Sequence, residues 1–187
     1  MTDEAALRQR EISSLCQACG VCCDGTIFSG VDVDPDTTTE VRHRLKMVEG
    51  QSSLQIPCVH LAGTRCGVYE IRPSSCRAYE CKQVKDHRSV GGSIAARLET
   101  VLTIRALSHR LREVARELPV ADPALTGSEP AFTHWGLYRA LEAGSATNLP
   151  PELALDLIEL AVRIQRDLGW ISPAARESKI PPEPADE

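Results

Sequence analysis

Aromatic residues are scarce in this chain: two Trp, three Tyr and two Phe among 187 residues. The bulk of any core must therefore come from Leu, Ile and Val. No apolar run approaches the length needed to cross a bilayer. The N-terminus MTDEAALRQREISSL carries acidic residues and lacks the apolar centre of a secretory signal. The expectation is a cytosolic (cytoplasmic) protein without membrane contact. The formal charge of −5 supplies no global basic field, which removes electrostatic support for a nucleic-acid partner. No nucleophile–base pair and no phosphate-binding loop stands out, so catalytic residues are unknown. Cysteine is absent after residue 81.

All eight cysteines lie before that point, in two groups: Cys16, Cys19, Cys22 and Cys23 in CQACGVCC, then Cys58, Cys66, Cys76 and Cys81. Cysteines that merely fill a core scatter with the hydrophobic pattern. Ligands for one ion must come within about 2.3 Å of a common point, which favours tight pairs on turns and a distant second set that closes the shell. In a cytosolic protein such a count points to metal binding or redox chemistry rather than to a disulfide framework. Gly20, directly after Cys19, suits a backbone that folds back through φ > 0 to turn N–H groups toward sulfur, and Gly67 after Cys66 repeats the arrangement.

Along the chain, residues 4–15 read as a short amphipathic helix with Ala5, Leu7, Ile12 and Leu15 as its apolar members, delivering Cys16. Thr26–Val33 reads as a strand. Asp34-Pro35-Asp36 announces a helix over 36–48 with Val41, Leu45 and Val48, ended by Gly50. Cys58 and Cys66 flank a hairpin that turns at Ala62-Gly63-Thr64, with Arg65–Tyr69 as its return strand. Ser74 or Ser75 is expected to cap a helical piece holding Cys76, Arg77 and Cys81. On a regular helix Cys76 and Cys81 lie about 140° apart, so they share a site only if that piece is irregular, and otherwise serve different ions. From Ile94 the apolar spacing is that of a long helix ended by Pro119. Further helices are expected near 131–142 and from about 150 to Gly169, followed by a disordered tail.

The segments CQACGVCC and PCVHLAGTRCGVYEIRPSSCRAYEC resemble the cysteine-cluster family called YkgJ-like or CxxCxxCC, zinc- or iron-chelating proteins. The likeness rests on the eight cysteines, Gly20, the Cys66-x2-Tyr69-Glu70 element and the Arg72-Pro73-x2-Cys76-Arg77 element. The same region is similar to that of flagellin lysine-N-methylases, which implies an iron–sulfur cluster. The resemblance ends by about residue 90, so no enzymatic activity is carried over with it.

Two structural zinc sites would use all eight thiolates. A [4Fe–4S] cluster also takes four, and Cys16, Cys19 and Cys22 match the first three positions of the bacterial ferredoxin run C-x2-C-x2-C-x3-C-P. The fourth position is not matched, because Cys23 follows Cys22 directly. Adjacent cysteines point in different directions, so Cys22 and Cys23 serve different ions or one of them bridges two. Arg72 and Arg77, flanking Cys76, are candidates to hydrogen-bond sulfur or a bound acidic ligand. His60 and Asp24 are weaker candidates, read first as a hairpin histidine and a turn residue. Tyr69 is read as packing against the site, and Trp135 and Trp170 as core or cap residues of the helical half.

The expected fold is α+β. A small, irregular, metal-stabilised cysteine-rich part with a short hairpin (1–90) precedes a mainly α-helical part (91–177) and the tail (178–187). Two function classes follow. One is a metal-binding module chelating zinc or iron, with the helical half open to a protein partner. The other is an iron–sulfur redox protein or a component of a protein-modifying enzyme of the lysine-N-methylase kind.

Overall fold

The computed structural model describes residues 3–28, 30–117 and 150–170. Helix α1 spans Asp3–Cys19. Asp3 and Glu4 in its first turn complement the helix dipole, and Ile12, Leu15 and Cys19 form its buried face. It is longer than expected, carrying both Cys16 and Cys19 inside the helix, and Leu7 lies outside the buried stripe at 56% exposure. Gly20 ends it in the left-handed region at φ +69°, with its N–H on the Cys16 carbonyl at 3.2 Å.

The expected strand over Thr26–Val33 reduces to β1, Gly30–Asp32, paired antiparallel with β2, Ser53–Gln55, with Val31 opposite Leu54. Thr26 is withdrawn from it because its hydroxyl is buried against Ser108, 2.7 Å away. Helix α2 is also shorter than its apolar spacing suggested, Thr39–Arg44, and Thr38 caps it. It stops at Lys46, whose φ of 55° leaves the helical region, so Leu45 is buried while Val48 is exposed.

The hairpin between Cys58 and Cys66 is present: β3, Leu61–Ala62, pairs with β4, Arg65–Cys66, and Gly63 turns at φ +63°. A 3-10 turn, Tyr69–Ile71, follows in place of a longer return strand. The piece expected to hold both Cys76 and Cys81 is broken. Helix α3 covers Ser74–Ala78, and Cys81 is the N-cap of α4, Lys82–Ser89. Neither serine caps α3. The Ser74 hydroxyl donates to Asp34 Oδ1 at 2.6 Å and the Ser75 hydroxyl to the Asp32 carbonyl, so both serines fasten α3 to the β1 end.

Helix α5, Ile94–Glu117, begins where Ser93 Oγ accepts the Ala96 N–H. Helix α6, Pro151–Leu168, ends at Gly169, φ +68°. The helix expected near 131–142, Trp135 and the tail from 178 lie outside the described residues. One hydrophobic cluster draws on α1 (Ile12, Leu15), α4 (Val84), α5 (Val101, Ile104, Leu107, Leu111) and α6 (Leu153, Leu157, Leu160, Ile164, Leu168). Val21 and Ile27, from the loop after α1, enter the same cluster. The architecture is α+β, with short hairpins in the cysteine-rich half and helices in the other. Among the described residues no helix is long and apolar enough to cross a membrane.

Candidate metal centre

Two backbone devices bring the cysteine segments together. Cys23 N–H and Asp24 N–H both turn back to the Gly20 carbonyl, at 2.9 and 3.1 Å. The Cys58 N–H then donates to the Cys23 carbonyl at 2.8 Å, joining the second segment to the first. Gly20 sits against the tip of the β3–β4 hairpin, where a Cβ would meet Thr64 Cα at 3.3 Å. Gly67 differs from the expectation that it repeats Gly20. It has no positive φ, and its role is close approach: its N–H donates to the His60 carbonyl at 2.8 Å, which a Cβ would approach to 3.2 Å.

All eight cysteines are free thiols, and the neighbours that raise their pKa values fall mostly into two sets of four. Burial, with Cys81 and Cys16 adding to it, pushes Cys19 up to about 12. Cys22 rises well above the ordinary thiol range by burial, with Cys19, Cys81, Cys23 and Cys16 adding to the effect. Cys16 is the exposed residue of this set, yet burial of its thiol, and then Cys81, push it up to about 11. In the second set burial raises Cys23 to about 12, followed by Cys58, Cys76 and Cys66. Burial and then Cys58 and Cys66 raise Cys76 to about 11. Cys58 is raised by burial and by Cys66. The sets are thus Cys16, Cys19, Cys22, Cys81 and Cys23, Cys58, Cys66, Cys76, touching where Cys22 meets Cys23.

Local geometry favours sulfur as an acceptor in both. The backbone N–H groups of Val21 at Cys19 and of His60 at Cys58 oppose the upward push of burial on these thiols. Cys81, at the N-terminus of α4, receives the Gln83 and Val84 N–H groups, which oppose the upward push of burial. Among the described residues no three His, Cys, Asp or Glu side chains stand close enough to grip an ion as they lie, so the sets are gathered rather than closed. Their chemistry fits a soft or borderline cation. Buried thiols that resist ionisation when alone become thiolates beside a cation, which removes their mutual repulsion.

Arg72 stands with its guanidinium 4.0 Å above the Tyr69 ring, where its charge lowers the pKa of both Cys16 and Cys76 against their burial. It faces a thiol of each set. Arg77 is directed elsewhere: Nε donates to the Arg72 carbonyl at 3.0 Å and Nη2 to the Glu70 carbonyl, so it clamps the backbone that presents Arg72. Asp24 is a turn residue, accepting the Thr26 N–H at 2.8 Å, and it is paired with Arg112 at 2.9 Å. His60 Nε2 is buried without a hydrogen-bond partner among the described residues.

Tyr79 is a neighbour of the first set that the sequence reading passed over in favour of Tyr69. Burial and then Cys22, Cys81 and Cys19 raise its phenol above the usual range, and its ring meets Phe28 edge-on at 4.9 Å. Phe28 in turn meets Trp170 edge-on at 6.4 Å. The available signal was position, since Tyr79 lies between Cys76 and Cys81.

No curated protein and no solved structure matches this chain. A family model does match, over residues 15–92: that of CxxCxxCC, whose description reads "putative zinc- or iron-chelating domain". The matched stretch contains all eight cysteines, Arg72, Arg77 and Tyr79. The cysteine-rich stretch of this chain therefore matches the CxxCxxCC family, the one its motifs resemble.

Proposed function

We propose that the protein chelates two metal centres, each held by four thiolates: one by Cys16, Cys19, Cys22 and Cys81, the other by Cys23, Cys58, Cys66 and Cys76. The observation that carries this reading is placement: Cys19, Cys22 and Cys81 gather at one hydrophobic cluster, the Cys58 backbone is tied to Cys23, and the thiols that raise one another fall mostly into fours, the number a closed zinc site requires. Zinc in each set gives a redox-inert chelating module. Arg72, beside a thiol of each set, offsets part of the charge of about −2 that four thiolates and Zn²⁺ leave behind.

A second reading, iron–sulfur chemistry, is favoured by one feature. The first set takes three cysteines from the run Cys16-x2-Cys19-x2-Cys22 and its fourth from the remote Cys81, while the next cysteine, Cys23, joins the other set. In two-cluster ferredoxins the last cysteine of such a run likewise ligates the other cluster. A [4Fe–4S] cluster in the first set would make the protein a redox carrier or a component of a modifying enzyme.

Metal and acid-labile sulfide content per chain, with an absorption spectrum on protein purified without oxygen, tests both readings. About two zinc ions, no sulfide and no visible band supports the first. Iron with matching sulfide and a broad band near about 400 nm supports the second. The absence of both metals overturns chelation, and full metal content in Cys19→Ser would remove Cys19 from the ligands.

A further inference from the structure

The two thiol sets are built into the fold in different ways. Cys16 and Cys19 stand on the 17-residue helix α1, and Cys81 caps α4. Cys19 belongs to the hydrophobic core, and Cys22 and Cys81 pack against it. The aromatic series Tyr79, Phe28 and Trp170 lies on the same side. To separate these four thiols the chain must part α1 from α4, and so break into the cluster they share with α5 and α6. Solvent meets this set at Cys16, its exposed member.

The second set has no such anchorage. Cys58 and Cys66 flank a hairpin of two residue pairs, and Cys76 sits on the five-residue helix α3, which has no buried residues. None of Cys23, Cys58, Cys66 and Cys76 belongs to the core cluster or packs against it. Polar links hold the set, Gly67 N–H to the His60 carbonyl, Cys58 N–H to the Cys23 carbonyl and the two serines of α3 on Asp34 and Asp32, and the buried residues beside it, Leu54 and Ile56, lie outside the core cluster. Segments with few buried apolar contacts open locally at a small fraction of the cost of global unfolding.

We infer that the two sites differ in kind: Cys16, Cys19, Cys22 and Cys81 form a permanent site that is part of the folded core, whereas Cys23, Cys58, Cys66 and Cys76 form an exchangeable site that takes up and releases a divalent cation by opening of the hairpin and α3. This deepens the chelating reading above and rests on it. In exchange the ion leaves as M²⁺ and the four thiolates regain protons or receive another ion, so no electrons move. The buried, partnerless Nε2 of His60, between Cys58 and Cys66, belongs to the segment that opens.

The test uses the full chain loaded with zinc and then challenged with a colour-forming chelator, with released zinc and helical circular dichroism followed together. The expected result is two phases of equal amplitude: one of the two ions leaves while the helical signal holds, and the second leaves only as the helices melt. Cys66→Ser should lose the first phase, keeping one ion and the helical spectrum. Release of both ions in a single phase, loss of helix with the first ion, or loss of both ions in Cys66→Ser would overturn the inference while leaving two-site chelation intact. A wild-type chain that binds fewer than two zinc ions before chelator is added overturns the two-site reading, and this inference with it.

Discussion

The Arg112 guanidinium on α5 donates to Asp24 Oδ1 at 2.9 Å across 88 residues of sequence, and it does so immediately beside Cys23. The same Nη2 reaches Thr26 Oγ1 at 2.7 Å, and Thr26 is fully buried against Ser108. The long helix thus holds the loop on which the two thiol sets meet. Both charged side chains are 19% exposed, so the pair is neither a surface bridge nor a sealed one. Arg112→Ala strands a half-buried carboxylate and removes two charge-assisted bonds, and should cost about 2–3 kcal/mol by urea unfolding. Asp24→Asn keeps an acceptor for the Thr26 N–H and should cost about 1 kcal/mol.

Gly20 is the residue whose conformation both ends α1 and turns the Val21 N–H onto Cys19. Gly20→Ala forces a Cβ into the left-handed region, costing about 1–2 kcal/mol, and brings it to 3.3 Å from Thr64 Cα at the hairpin. Thermal melting should show the loss of stability, and zinc stoichiometry should fall as the hairpin is pushed away. Unchanged zinc binding would mean that the hairpin position does not matter to the site.

The pH dependence of the metal-free chain follows from the thiols. Cys19 and Cys23 are raised to about 12 and Cys76 to about 11, from an ordinary 9.0, chiefly by burial. The folded chain holds these protons after the unfolded chain has released them. The contribution of these thiols is therefore complete below about pH 9 and is lost as the pH rises toward about 11–12. The urea midpoint should be flat with respect to these groups below about pH 8.5 and should fall above about pH 9. Metal binding has the opposite sense, because it displaces thiol protons: zinc affinity should rise with pH up to the same range, with proton release detectable in weakly buffered solution.

Leu157, fully buried at the α5–α6 contact region, and Leu155, 67% exposed two residues earlier, give an internal comparison. Leu157→Ala should cost about 2–5 kcal/mol, and Leu155→Ala should stay within about 0.5 kcal/mol. Because α1 and α4 share the Leu157 cluster, the core variant should also release zinc at lower denaturant concentration than the wild type. Equal effects of the two substitutions would contradict the packing described.

Features carried by local chemistry were legible in the sequence. The 3.6-residue apolar repeat from Ile94 and from Leu153 specified α5 and α6, whose ends are set by Ser93 and Gly169. The hairpin between Cys58 and Cys66 followed from its Gly63 turn, and the backward turn at Gly20 followed from the cysteine before it. The grouping of all eight cysteines into one stretch needed no structure. Features that depend on distant partners were not legible. Nothing local to Cys81 says that it sits at the start of a helix packed on α1, where it neighbours Cys16, Cys19 and Cys22. Asp24 reads as a turn residue until Arg112 arrives from α5. Thr26 reads as a strand residue until Ser108 draws its hydroxyl into the interior. Sequence determines which groups are present and how each short segment bends, because those depend on neighbours within a turn or two. The approach of Cys81 to the thiols of α1 depends on how the distant helices α1 and α4 pack, and the shared hydrophobic cluster decides that.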